Sequence, residues 1–142
     1  MSLEDRLAIL DGIAAYVHRL DDGDDEGWVE LFTEDAVWEN YARGSEKPSI
    51  RHEGQESIRQ FAAWMRGRRG ATLVRHYKGN PLFLELTRNL ARVRANGMIT
   101  VQAPAEEPRL AQTGVYVETW RRTEDGWRIA HLVFHNDRPA PT

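Results

Sequence analysis

The groups in this chain able to move protons near neutral pH are few. There are five histidines in 142 residues, at His18, His52, His76, His131 and His135, and no cysteine. The missing thiols exclude disulfides, thiolate nucleophiles and cysteine metal sites. An unperturbed imidazole titrates near ~6.5 and can take up and return a proton. A carboxylate against one ring nitrogen fixes the tautomer and stabilises the imidazolium formed on proton abstraction. The stretch Tyr16–Trp38, YVHRLDDGDDEGWVELFTEDAVW, supplies a phenol at Tyr16 and a carboxylate at Asp21. An imidazole, a carboxylate and a phenol suit removal of a proton beside a carbonyl, followed by loss of water or a double-bond shift. Other chemistries lack their marks: no histidine pair has HExxH spacing, no GxSxG elbow occurs, and no Gly-rich loop could cradle phosphate. No metal site is expected.

The elements that must position these groups follow from periodicity. Ser2 caps a helix, with Asp5 three residues on. Leu3, Leu7, Leu10, Ala14 and Val17 make one apolar stripe, and Ile9, Ile13, Tyr16 and Leu20 a second beside it. So wide an arc predicts a helix buried against a sheet. The Asp21–Asp25 cluster ends it. Tyr16 and Asp21 stand about 140° apart on a regular helix, so they converge only if Asp21 lies beyond its end. Asp24 or Asp25 caps a short second helix with Trp28, Leu31 and Phe32 in the core. Thr33-Glu34-Asp35 reads as a turn into a strand at Ala36–Asn40, and residues 42–52 as a loop or irregular hairpin. Gly54 opens a third helix carrying Ile58, Phe61, Ala62 and Met65, ended by Gly67 and Gly70. Ile13, Val17, Phe32, Phe61 and Met65 are expected to face the sheet.

The rest reads as antiparallel strands. The first, Leu73–Leu86, bends at Gly79-Asn80-Pro81, and its alternation puts Val74, His76, Lys78 and Asn80 on one face. Later strands span Leu90–Gln102, Leu110–Arg122 and Trp127–His135, with a hairpin turn at Glu124-Asp125-Gly126. Residues 1–136 form one domain, and 137–142 a short tail. The fold class is α+β: three N-terminal helices on a strongly curved mixed or antiparallel sheet, leaving an internal pocket between the layers. His18 is placed on a polar helix face and His52 in a loop. His131 and His135 share a strand face with Trp127, and the sequence does not say whether it faces the pocket.

A net charge of −3 gives no basic field for a nucleic acid, and the run Arg66–Arg69 (RGRR) is too short to supply one. The N-terminus lacks a basic leader with an apolar core, and no apolar run approaches the ~20 residues of a membrane span. A cytoplasmic location without a membrane partner is expected. Tyr116, Trp120 and His131 on the last strands suggest rings on both sheet faces, hence a homo-oligomer that covers the outer one.

The order of these marks resembles the SnoaL-like branch of the nuclear transport factor 2-like superfamily, a family of conical α+β domains. The matching pieces are Tyr16…Asp21-x-x-Asp24, Leu31-Phe32-Thr33-Glu34-Asp35-Ala36-Val37-Trp38, Gly54-x-x-x-Ile58, His76-x-x-x-Asn80 and Gly126-Trp127-Arg128-Ile129. The resemblance implies a deep pocket, a homodimer or homotrimer, and no metal or organic cofactor. It also implies a dehydratase- or isomerase-like set in which Asp21 partners His76, Tyr16 is the third catalytic group, and Trp38 lines the pocket. Phe61, Met65 and Asn80 are the further candidates to touch a mostly apolar, cyclic small molecule. The loop between Trp38 and His76 is longer than in the shorter members. The alternative is a non-catalytic binding or assembly module on the same frame.

Overall fold

The computed structural model describes residues 2–142. Helix α1 spans Leu3–Asp21 and opens with a reciprocal cap. Ser2 Oγ accepts from the Asp5 amide at 3.1 Å, and the Asp5 carboxylate accepts from the Ser2 amide at 3.2 Å. Only one of the two expected stripes is buried. Ile9, Ile13, Tyr16, Val17 and Leu20 face inward, whereas Leu3, Leu7 and Ala14 are exposed. Two anchors set this phase. Asp5 accepts from Trp127 Nε1 at 3.0 Å and from Arg122 at 2.7 Å. Two turns on, Gly12 lies so close to Trp120 that a Cβ there would sit 2.6 Å from the ring. Positions 5, 9, 12, 16 and 20 fall on one line at spacings of three and four, which turns Leu3 and Leu7 away.

Helix α2 is the single turn Asp25–Val29, with Asp24 Oδ1 accepting from the Gly27 amide at 3.0 Å. Its Trp28 and the following Phe32 close around Tyr16 edge to face, with centroids 5.5 and 6.1 Å away. Helix α3, Gln55–Arg69, starts after Gly54 at φ +86° and runs through Gly67 to Gly70. Ile58, Phe61 and Ala62 are buried and Met65 half-buried.

Six strands follow the order β2-β1-β6-β5-β4-β3. They are β1 (Phe32–Arg43), β2 (Ile50–Glu53), β3 (Leu73–Leu86), β4 (Leu90–Gln102), β5 (Arg109–Thr123) and β6 (Gly126–Pro139). β1 pairs parallel to β6; every other pair is antiparallel, so the sheet is mixed. It is open, with β2 and β3 at its edges, and not strongly curled, which corrects the expected strong curvature. The turn expected at residues 33–35 lies inside β1 as a register shift between Phe32 and Val37. Residues 42–52 form the β1–β2 hairpin, and β6 continues past His135 to Pro139. Among the described residues, no helix is long and apolar enough to cross a membrane.

Bulges decide which side chains face the helices. Trp120 pairs with Ile129 but Thr119 with His131, leaving Ala130 as an extra residue. Strand β6 changes phase there: Ile129, then Leu132 and Phe134, are buried, and His131 and His135 turn to the outer face. Trp127 and His131 therefore do not share a face. Tyr116 and Trp120 are both inward and buried, which removes them from the outer surface invoked for an oligomer.

Candidate active site

The helical layer and the sheet border an open cleft of about 540 Å³. Its walls come from every layer: Tyr16 and Leu20 on α1, Trp38 on β1, Phe61 and Met65 on α3, and Val74 and His76 on β3. Asp21 is the last residue of α1, not one beyond it, and it sits behind His76 instead of in the wall. Tyr16 and Asp21 thus need not converge on one point. The helix end is fixed by Gly23 at φ +76° and by the Asp24 amide bonding to the Arg19 carbonyl at 2.9 Å. Arg69 ties it to the end of α3 through a 3.2 Å bond to the Asp21 carbonyl.

Asp21 grips His76 twice. One carboxylate oxygen lies 2.6 Å from Nδ1, and the other accepts from the His76 backbone amide at 2.9 Å. Both side chains are about one-eighth exposed. A carboxylate only accepts, so Nδ1 carries the proton and Nε2 keeps its lone pair for a ligand. The tilt and tautomer of the ring are set together, as a general base requires.

Tyr16 is nearly inaccessible. Its hydroxyl oxygen accepts from Trp38 Nε1 at 2.9 Å, which leaves its own proton free to donate. Burial pushes the phenol well above its usual value, and the neighbouring Tyr116 adds to the shift, so at neutral pH Tyr16 is a donor and not a base. Trp38 in turn packs on Phe61 with centroids 4.6 Å apart.

Beneath Tyr16 lies a feature the sequence reading missed. The Lys78 ammonium sits 3.2 Å from the Tyr16 ring centroid and 2.6 Å from Glu118 Oε2, both side chains wholly buried. The two form an ion pair closed off from water. Trp120 Nε1 donates to the other Glu118 oxygen at 3.0 Å. Burial lowers the lysine to about 8, with Glu118 opposing the shift. A signal did exist: strict alternation along β5 places Tyr116, Glu118 and Trp120 on one face, and the two rings mark that face as interior.

Other candidates fall elsewhere. Asn80 is exposed at the β3 bulge with φ +54°; its side-chain oxygen accepts from Asn96 at 3.3 Å, and it does not line the cleft. Lys78 is inward from the same strand, but the register shift between Gly79 and Leu82 breaks the shared face before Asn80 can use it. His52 is not in a loop: it lies in β2, stacked 4.4 Å from the Phe61 ring and 2.9 Å from Ser57 Oγ, and burial lowers its pKa. His18 is exposed. Among the described residues, no group of three or more histidine and carboxylate side chains could hold a metal ion.

An α+β domain with this strand order and a cleft between helices and sheet defines a class, and the sequence places the chain within it. Residues 1–133 match the SnoaL-like domain, and the chain belongs to that family. It is similar in structure to a variant of Rv3472, a Mycobacterium tuberculosis protein of unknown function. The TM-score is 0.79 at 26% identity, covering 93% of this chain and 71% of that one. It is also similar to a protein from Novosphingobium aromaticivorans provisionally named an aromatic ring hydroxylase, with TM-score 0.78, 27% identity, and 99% and 93% of the two chains covered. A third likeness, to a nuclear transport factor 2-like protein with a cystatin-like fold from the same organism, has TM-score 0.78 at 22% identity over 94% and 82% of the chains. Among curated proteins, none matches the sequence.

Proposed function

We propose that the cleft is the active site of a lyase or isomerase acting on a mostly apolar, cyclic small molecule. The observation that carries the reading is the double grip of Asp21 on His76 at the cleft wall. His76 Nε2 takes a proton from the carbon beside a substrate carbonyl. The electron pair moves to the carbonyl oxygen, which accepts the Tyr16 hydroxyl proton as a hydrogen bond. The imidazolium, stabilised by Asp21, then returns the proton. Delivered to a β-hydroxyl, it releases water and leaves a double bond; delivered to the γ-carbon, it shifts an existing one. Only protons move, so the chemistry calls for no cofactor. Trp38, Phe61 and Met65 supply the apolar walls. The chain works as a homo-oligomer, through the outer faces of β5 and β6 where Val115, Val117 and Val133 are half-buried. Light scattering that returns a monomer at high micromolar concentration removes this last part.

The test reads the first step directly, by exchange of the α-protons of a cyclic ketone such as 2-tetralone into D2O, followed by NMR. Wild-type protein should exceed the buffer rate, and His76→Ala should lose about 10²–10⁴-fold of that excess. Asp21→Asn should keep the fold yet slow exchange, because a neutral amide does not stabilise the imidazolium. The double variant should lose little beyond the worse single. Full exchange in either single variant, or none in wild type, overturns the reading in favour of a binding module.

A further inference from the structure

The charged groups around the cleft are almost all of one sign. Arg66, Arg68, Arg69 and Arg109 line it, against a single lining carboxylate, Asp25. This runs against the chain as a whole, whose net charge is −3. Two of the four arginines are committed to the fold. Arg66 pairs with Asp25 at 2.6 Å, and Arg69 donates to the Asp21 carbonyl. The other two are not: among the described residues, neither Arg68 nor Arg109 forms an ion pair with a carboxylate. Arg68 lies over the ring of the exposed Trp64, 5.3 Å from its centroid. A cationic last turn is common on a helix, because it complements the C-terminal dipole, and that accounts for Arg68 alone. It does not account for Arg109, which opens β5.

Strand register locates Arg109 relative to His76. His76 pairs with Ile99 and Ile99 with Gln112, while Val74 pairs with Val101 and Val101 with Arg109. Arg109 is therefore two strands across, about 10 Å at a spacing of ~4.8 Å, and two pairings along. The wall between them is mostly apolar, with Val74, Ile99 and Val101, and Gln112 is the polar residue beside Ile99. Two guanidiniums on the rim, an apolar span about two fused rings long, and a base at the far side describe the polarity of a ligand. We infer that the cleft selects a fused-ring or similarly elongated apolar molecule bearing one anionic group, such as a carboxylate. The anion is held by Arg68 and Arg109, and the reacting carbon lies against His76. This rests on the proposed active site and names its substrate class. Guanidinium suits the task because its planar fork meets a carboxylate bidentately while its face stacks on an aromatic ring.

The probes are naphthalene-2-carboxylate and naphthalene-2-carboxamide, equal in ring body and different in charge, titrated by calorimetry at low ionic strength. The carboxylate should bind roughly five- to tenfold more tightly to wild type. In R68Q/R109Q, checked for an unchanged melting temperature, that preference should vanish while amide affinity holds. Added salt at 0.5 M should erode the wild-type preference, because the rim is exposed. R68K/R109K should retain part of it. Equal affinity for the two probes in wild type overturns the inference, as does a preference that survives in R68Q/R109Q, which would assign the anion to His76 or another group. Either result leaves the proton-exchange test of the Asp21–His76 pair untouched. Failure of both probes to bind overturns the inferred substrate class, while the active-site reading still stands or falls on proton exchange.

Discussion

Two histidine–carboxylate pairs of almost equal length lie on opposite faces of the same sheet. In the cleft, Asp21 meets His76 Nδ1 at 2.6 Å; outside, Glu39 meets His131 Nε2 at 2.5 Å. Distance does not separate them. Surroundings do. Asp21 gives both oxygens to one residue, His76, through ring and backbone. Glu39 divides its carboxylate among His131, the Tyr41 hydroxyl at 3.2 Å and Arg51 at 3.7 Å. The His76 side chain is 12% exposed and lines the cleft; that of His131 is 45% exposed and does not line it. A short contact joins the two groups, whereas a base also needs one fixed orientation and a place for the proton's donor.

The sharpest way to break this comparison is to delete each imidazole in turn. His76→Ala should cost about 10²–10⁴-fold in α-proton exchange, and His131→Ala less than twofold. Comparable losses would mean that the outer pair takes part in the chemistry and that the cleft is not where it happens.

A third carboxylate pair isolates burial from access. Lys78 and Glu118 are more deeply enclosed than either histidine pair, yet neither lines the cleft. Glu118→Gln should destabilise by about 3–5 kcal/mol in denaturant unfolding, because it strands the lysine charge between the Tyr16 and Tyr116 rings. Lys78→Met with Glu118→Leu should recover most of that loss, since removing both charges ends the desolvation cost. A double variant as unstable as the single would show that packing, not charge, sets the cost.

How far the sequence carried depended on the range of the interaction. Short-range features were legible: the Ser2/Asp5 cap, a cap at Asp24 or Asp25, Gly54 before α3, and the three- and four-residue spacing of Ile58, Phe61 and Ala62. The nearness of Asp21 and His76, 55 residues apart, came from a resemblance and not from periodicity. Features set by long-range register were not legible. Which stripe of α1 is buried depends on Trp127 and Trp120, more than 100 residues away. The outward turn of His131 depends on one extra residue, Ala130, opposite Thr119 and Trp120. Glu118 could have been read from alternation alone, but a carboxylate between two rings departs from the apolar pattern by which interior faces are recognised.

The buried lysine adds a pH dependence to the stability of the fold. Its folded value, about 8, lies below the ordinary 10.5. Between those values the unfolded chain holds more protons at this site, so the contribution of Lys78 to stability rises with pH across that window and is lost as pH falls through 8. Its full span is on the order of 3 kcal/mol at ~1.4 per unit. Set against Lys78→Met, whose site no longer titrates, wild type should gain about 3 kcal/mol of unfolding free energy as pH rises from 7 to 10.5. A constant difference would remove the lysine as the titrating group.

The smallest expected effect is the most exacting test of the contrast between the two histidines. His131→Gln removes the outer histidine–carboxylate contact but leaves Glu39 with Tyr41 and Arg51, so no buried carboxylate is orphaned. The lost contact is half-exposed and screened by salt, and it should be worth at most about 1 kcal/mol. The wild-type advantage over H131Q should shrink further in 0.5 M salt. At the cleft, Asp21→Asn should cost more in stability, about 1–3 kcal/mol, because the His76 amide and ring both lose a charged acceptor in a site largely closed to water. Denaturant unfolding of the two variants side by side measures both numbers. If H131Q proves the costlier, then sharing a carboxylate among three partners outweighs a double grip by one. The outer face, with its half-buried valines, would then be the more tightly organised side of the sheet.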